Sequence, residues 1–101
     1  MNTENNCVDL EFERLLTSMR NFGIPDHCRH SLAEYIINHK PVGSFLGYLL
    51  YNNLMETFAA ADHINISAVR NYVMFLYNAA PSVCWGSPER VNDWLKKRKE
   101  Q

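Results

Sequence analysis

Apolar side chains recur at three- and four-residue spacing along nearly the whole chain, and no stretch of useful length alternates apolar with polar. A period near 3.6 collects side chains on one face of a helix, whereas a half-buried strand needs a period of two. The chain is therefore expected to be all-α, a compact bundle of about five helices. Its 101 residues suffice for one modest core, so residues 1–101 read as a single helical domain.

The first helix is expected over Asp9 to Phe22, where Phe12, Leu15, Leu16, Met19 and Phe22 share a face and Gly23 offers a left-handed stop. After the Ile24-Pro25 corner, Cys28, Leu32, Tyr35 and Ile36 mark a second helix that must end before Pro41. A third follows the Pro41-Val42-Gly43-Ser44 turn, with the Ser44 hydroxyl as its expected cap. It runs from Phe45 through Leu46, Leu49, Leu50 and Leu54 to Phe58, interrupted at Asn52 and Asn53. Being apolar nearly all round, its first half is expected at the centre of the bundle.

Asp62 to Asn65 reads as a connection, after which Ile66, Val69, Val73, Leu76 and Ala80 trace a fourth helix. The plainest local signal is Ser87-Pro88-Glu89: a hydroxyl for the free amides, a proline already at helical φ, and an acid at the positive helix end. A fifth helix starts there, with Val91, Trp94 and Leu95 as its buried face.

Charge narrows the function classes. A formal net charge of -1 gives no field that would draw a phosphate backbone or an anionic membrane to the whole molecule. The basic run Lys96 to Lys99 has a sufficient role in opposing the helix dipole, so nucleic acid is the weaker expectation. No apolar run approaches the roughly 20 residues that span a bilayer, and the first residues do not resemble a signal peptide. Cys7, Cys28 and Cys84 form an odd set without a CxxC pair, which fits free thiols in a reducing cytoplasm.

Catalytic motifs are missing from the sequence: there is no GxSxG, no GxxxxGK[ST] and no GxGxxG. Cys84 beside Trp85 reads as a buried, inert thiol. His27, Cys28 and His30 hold metal-ligating atoms, but their spacing matches no zinc signature and a surface cluster explains them. No catalytic residue, metal or cofactor is expected. The sequence offers one candidate anion site. Gly43-Ser44 and Gly86-Ser87 each combine a permissive backbone with a helix start, and if the two converge, Arg90 supplies charge and Trp85 a stacking wall, with Asn53 as a further polar contact.

Several blocks occur together: Ile24-Pro25-Asp26-His27, Pro41 to Leu46, Asn53-Leu54, Ala61-Asp62, Asn65, Tyr77-Asn78, Cys84-Trp85-Gly86-Ser87-Pro88-Glu89 and Trp94. In this combination the chain resembles a family of small tailed-bacteriophage proteins over residues 24–95, with residues 1–23 outside the resemblance. The resemblance implies action in the host bacterial cytoplasm and no particular activity. Compact phage proteins of this size commonly work by binding. The expectation is an accessory binding protein for counter-defence or host takeover, which contacts a host bacterial protein or sequesters a small anionic nucleotide. The alternative is a structural or replication accessory protein with DNA contact.

These readings differ in what they demand of a surface. A nucleotide sponge needs a deep pocket with helix starts and arginine, a protein blocker an exposed apolar patch, and a DNA accessory a one-sided basic face. Phe45, Leu49, Leu50, Leu76, Trp85 and Trp94 are expected in the core. Tyr48, Tyr51, Tyr72 and Tyr77 exceed what so small a core can take, which makes a homodimer the simplest quaternary expectation.

Overall fold

The computed structural model describes residues 3–97, with side chains from Leu10 onward. Among these residues there are six α-helices and no strand: α1 (Thr3–Phe22), α2 (Asp26–Asn38), α3 (Ser44–Leu50), α4 (Leu54–Ala60), α5 (His63–Ala79) and α6 (Pro88–Lys96). A single 3-10 turn, Ser82–Cys84, precedes α6. No described helix is long and apolar enough to cross a membrane.

Local chemistry sets most of the boundaries. At the end of α1, Gly23 adopts φ +83, and two amides turn back: Ile24 N–H donates to the Met19 carbonyl and Gly23 N–H to that of Arg20, each at 3.0 Å. This is a Schellman closure, and its apolar partners Met19 and Ile24 are both fully buried. Helix α2 ends on His39, left-handed at φ 58, before Pro41. Ser87 Oγ accepts from Arg90 N–H at 3.2 Å, with Pro88 in the first helical position.

The expected third helix is two helices. Asn52 is left-handed at φ 66; its N–H donates to the Leu49 carbonyl and that of Asn53 to the Tyr48 carbonyl, closing α3 as a Schellman motif built on asparagine. Asn53 then starts α4, its side chain accepting from Glu56 N–H. One dipeptide ends a helix and begins the next, which makes six helices of the expected five.

Three further boundaries differ from expectation. Helix α1 begins at Thr3, six residues before Asp9. Gly43, not Ser44, is the N-cap of α3, and no side-chain bond caps that end. Helix α5 begins at His63, within the expected connection, because the Asp62 carboxylate accepts from Asn65 N–H at 2.7 Å.

The core is one cluster fed by every helix except α4, whose single buried residue is Thr57. Tyr35, Tyr72, Phe75, Met19, Ile24, Leu32, Leu50 and Cys84 are its largest fully buried side chains. Each large apolar member contributes about 1.5–3 kcal/mol. Phe45, Leu49, Leu50 and Leu76 are buried as expected, but Trp85 and Trp94 are only half-buried. Of the tyrosines thought surplus, Tyr72 lies in the core, Tyr48 and Tyr51 are half-buried, and Tyr77 stands in solvent.

Buried polar groups tie distant segments together. Tyr35 Oη donates to the Cys84 carbonyl at 2.6 Å, and Tyr72 Oη donates to Asn65 Oδ1 at 2.7 Å, with the Cys28 thiol against the same Asn65 amide. Burial pushes both phenols well above the ordinary tyrosine range, so they are held as neutral donors.

Candidate functional site

The seven residues singled out in the sequence fall into three places. Gly43 and Ser44 border a shallow depression of about 270 Å³ with Val42, Tyr48 and Tyr51. Gly86 sits at the other end of α3: its N–H donates to the Leu50 carbonyl at 2.8 Å, so this amide closes a helix and is not free for a ligand. Ser44 and Leu50 are the two ends of α3, and six steps of helical rise separate them by about 9 Å. None of Gly86, Ser87 and Arg90 borders the depression at Gly43 and Ser44.

Arg90 is engaged locally. Its Nη1 donates to the Ser82 carbonyl at 3.1 Å and the Trp85 carbonyl at 3.3 Å, pinning the 3-10 turn to α6. Gly86, at φ 114, packs against this guanidinium, and a Cβ there would stand 3.1 Å from Nη1. Arg90 also borders an open depression of about 370 Å³ with Ser82, Val83, Asp93, Trp94 and Lys97. The aromatic ring there is Trp94, not Trp85. It is already in contact with His39, ring centroids 4.6 Å apart, and with Lys97 Nζ, 4.6 Å from the centroid.

Trp85 and Asn53 do come together, in an apolar pocket of about 90 Å³ between α3, α4 and α5. Leu49, Leu54, Val69, Val73 and Leu76 supply most of its wall. The pocket exists because Asn52 and Asn53 turn α4 away from the line of α3. Around it lies a broad apolar face: Leu54, Met55, Phe58, Ile66, Val73 and Tyr77 are all exposed, Met55 to 79% and Tyr77 to 75%. No charged residue occurs between Lys40 and Glu56, nor between Arg70 and Glu89, so the sequence leaves this face almost without charge.

Sequence periodicity placed Leu54, Val73 and Ile66 inward; the structure leaves them outside. Helix α5 is apolar on two adjacent faces, and the one turned to the core carries Asn65, Ala68, Val69, Tyr72, Phe75 and Leu76. Asn65 and Tyr72 are seven residues apart on this face, but Ile66 and Val73 have the same spacing on the other, so spacing alone does not select the phase.

The metal-ligating residues go to separate partners. His27 Nε2 lies 3.2 Å from Asp62 Oδ2, linking the starts of α2 and α5; Cys28 faces Asn65; His30 meets the edge of Phe12 at 5.4 Å between centroids. Among the described residues no three His, Cys, Asp or Glu side chains cluster as ligands. The Asp62 carboxyl is held below the usual range by the Asn65 amide first and by His27 after it. Cys84 is fully buried and burial pushes its thiol up to about 11, so it stays protonated and unreactive at neutral pH.

No family model, curated protein or solved structure matches the chain.

Proposed function

We propose that the chain is an accessory binding protein that works by contact with another protein through the α4–α5 apolar face. The observation that carries this reading is that Leu54 and Val73, on the wall of the small pocket, are themselves exposed, as are Phe58 one turn beyond Leu54 and Tyr77 one turn beyond Val73. A contiguous apolar surface of this kind on a small protein marks a contact site. At about 90 Å³ the pocket accepts one apolar side chain; a nucleotide needs a site of roughly 300 Å³ or more. The resemblance to small tailed-phage proteins supplies the setting: the host bacterial cytoplasm, where the face engages a host protein of defence or replication.

Nucleotide sequestration has less support. The depression beside Arg90 and Lys97 is large enough, but Asp93 lies in it and its indole is already packed against His39 and Lys97. DNA contact would rest on Lys96 to Lys99, of which Lys96 and Lys97 belong to the described residues.

The test has two arms. In bacteria carrying a phage-defence system, Leu54→Asp is expected to abolish any protection the wild-type chain gives to an infecting phage, while Arg90→Ala leaves it intact. Thermal-shift measurements against cyclic and linear nucleotides are expected to show no stabilisation, where a bound ligand at a hundredfold excess over Kd would add about 2.7 kcal/mol. A nucleotide shift lost in Arg90→Ala would overturn the protein-contact reading.

A further inference from the structure

We infer that in the free protein the α4–α5 face is covered by a second copy of the same chain, paired about a two-fold axis; this rests on reading the face as a protein contact and names its resting occupant.

Three observations point to self-pairing. The first is area. A stable interface of ordinary size hides on the order of 800 Å² per partner. Leu54, Met55, Phe58, Ile66, Val73 and Tyr77, each exposed by two-fifths to four-fifths, supply apolar surface on that scale. The second is charge. Helix α4 carries one charged side chain, Glu56, and α5 one fixed charge, Arg70, and the two are opposite in sign. A face so composed cannot select a charged partner, yet it meets its own copy without accumulating like charge. A formal net charge of -1 also leaves little long-range repulsion between copies.

The third observation is shape. Close-packed proteins leave few voids, but the pocket that Leu54 borders is filled by none of the described side chains. Met55, the next residue, projects almost wholly into solvent. Hole and knob thus come from consecutive residues of α4, Leu54 on the pocket wall and Met55 turned outward. An isologous contact is the arrangement in which each copy's knob meets the other's hole, and methionine's unbranched chain adapts readily to such a gap. The pairing closes on itself, so it does not propagate into a chain of copies. It also makes the face unavailable until an outside partner displaces the second copy.

Sedimentation equilibrium on the full chain, from micromolar to millimolar, tests this. The expected mass is twice the 11.8 kDa of one chain. Met55→Glu and Val73→Asp are each expected to return it to 11.8 kDa with an unchanged helical circular dichroism spectrum, whereas Glu13→Lys on α1 stays dimeric. Should Val73→Asp lose its helical signal, Met55→Glu, at the more exposed position, decides alone. A wild-type monomer throughout, or a dimer that survives Met55→Glu, overturns self-pairing. The underlying contact reading has its own readout in the fluorescence of 1-anilinonaphthalene-8-sulfonate. A monomer that enhances the dye, with the enhancement lost in Met55→Glu, overturns self-pairing and leaves the contact face standing. A monomer with no enhancement overturns both.

Discussion

Trp94 on α6 donates its indole N–H to the backbone carbonyl of Tyr35 in the last turn of α2, at 3.0 Å. The same Tyr35 sends its hydroxyl to the Cys84 carbonyl. One residue therefore anchors both the 3-10 turn and the final helix, and this explains why Trp94 is only half-buried: its polar edge must reach a helix end. Trp94→Phe and Tyr35→Phe are each expected to lower stability by about 1 kcal/mol. The first removes one of the two donors to the Tyr35 carbonyl, which keeps the His39 N–H, and the second removes the side-chain donor to the Cys84 carbonyl. Urea midpoints should fall with unchanged slope.

The Asn52-Asn53 break yields a pair of opposite effects. Asn52→Gly should stabilise by up to about 1 kcal/mol, since glycine occupies φ 66 without a Cβ penalty. Asn53→Ala should destabilise by about 0.5–2 kcal/mol through loss of the α4 cap. If Asn52→Gly proves destabilising, the asparagine has a further partner.

Truncation within the core should separate neighbours. Leu50 is fully buried, so Leu50→Ala should cost about 2–5 kcal/mol. Leu49 borders the open pocket, and its removal enlarges a space that water and side chains can enter, so Leu49→Ala should fall at or below the lower end of that range. Equal losses would show that the pocket is closed in solution.

Stability should decline at both pH extremes for separate reasons. The Asp62 carboxyl is held below its ordinary value in the fold, so its contribution is present above the ordinary carboxylate range and is lost as pH falls through the depressed value. Asp62→Asn should flatten that acid limb. Cys84, Tyr35 and Tyr72 are raised, so their contribution is full at neutral pH and is lost on the alkaline side. For Cys84 the loss begins near the ordinary thiol value of 9.0 and is complete by about 11. Denaturation midpoints across pH 3–11 check both limbs.

The same burial should protect Cys84 chemically. Alkylation of the native chain at neutral pH followed by peptide mapping should leave the Cys84 peptide unmodified while the half-buried Cys28 reacts. Unfolding in urea should make the two equal. Labelling of native Cys84 would show that the turn opens readily.

Where helices begin and end was legible in the residues themselves. Gly23, Pro41 and Ser87-Pro88 act through backbone angles and amides within a few positions, so their effects require no knowledge of the rest of the molecule. The Asn52-Asn53 pair acts as locally, yet periodicity runs one helix through it to Phe58 where the chain has two. The mistakes were local too: Gly43 caps α3 in place of Ser44, and Asp62 starts α5 early.

What only the tertiary structure decided is which surfaces meet. Helix α5 is apolar on two faces, so its period admits two phases, and the choice of Tyr72 and Phe75 for the core over Ile66 and Val73 depends on what α1, α2 and α3 place opposite. Nor does spacing reveal that the Gly43-Ser44 and Gly86-Ser87 starts lie at opposite ends of α3, or that Asn53 and Trp85 share a pocket. Caps are set by bonds across three or four residues, whereas faces and pockets are set by packing between segments dozens of residues apart, which no local pattern records.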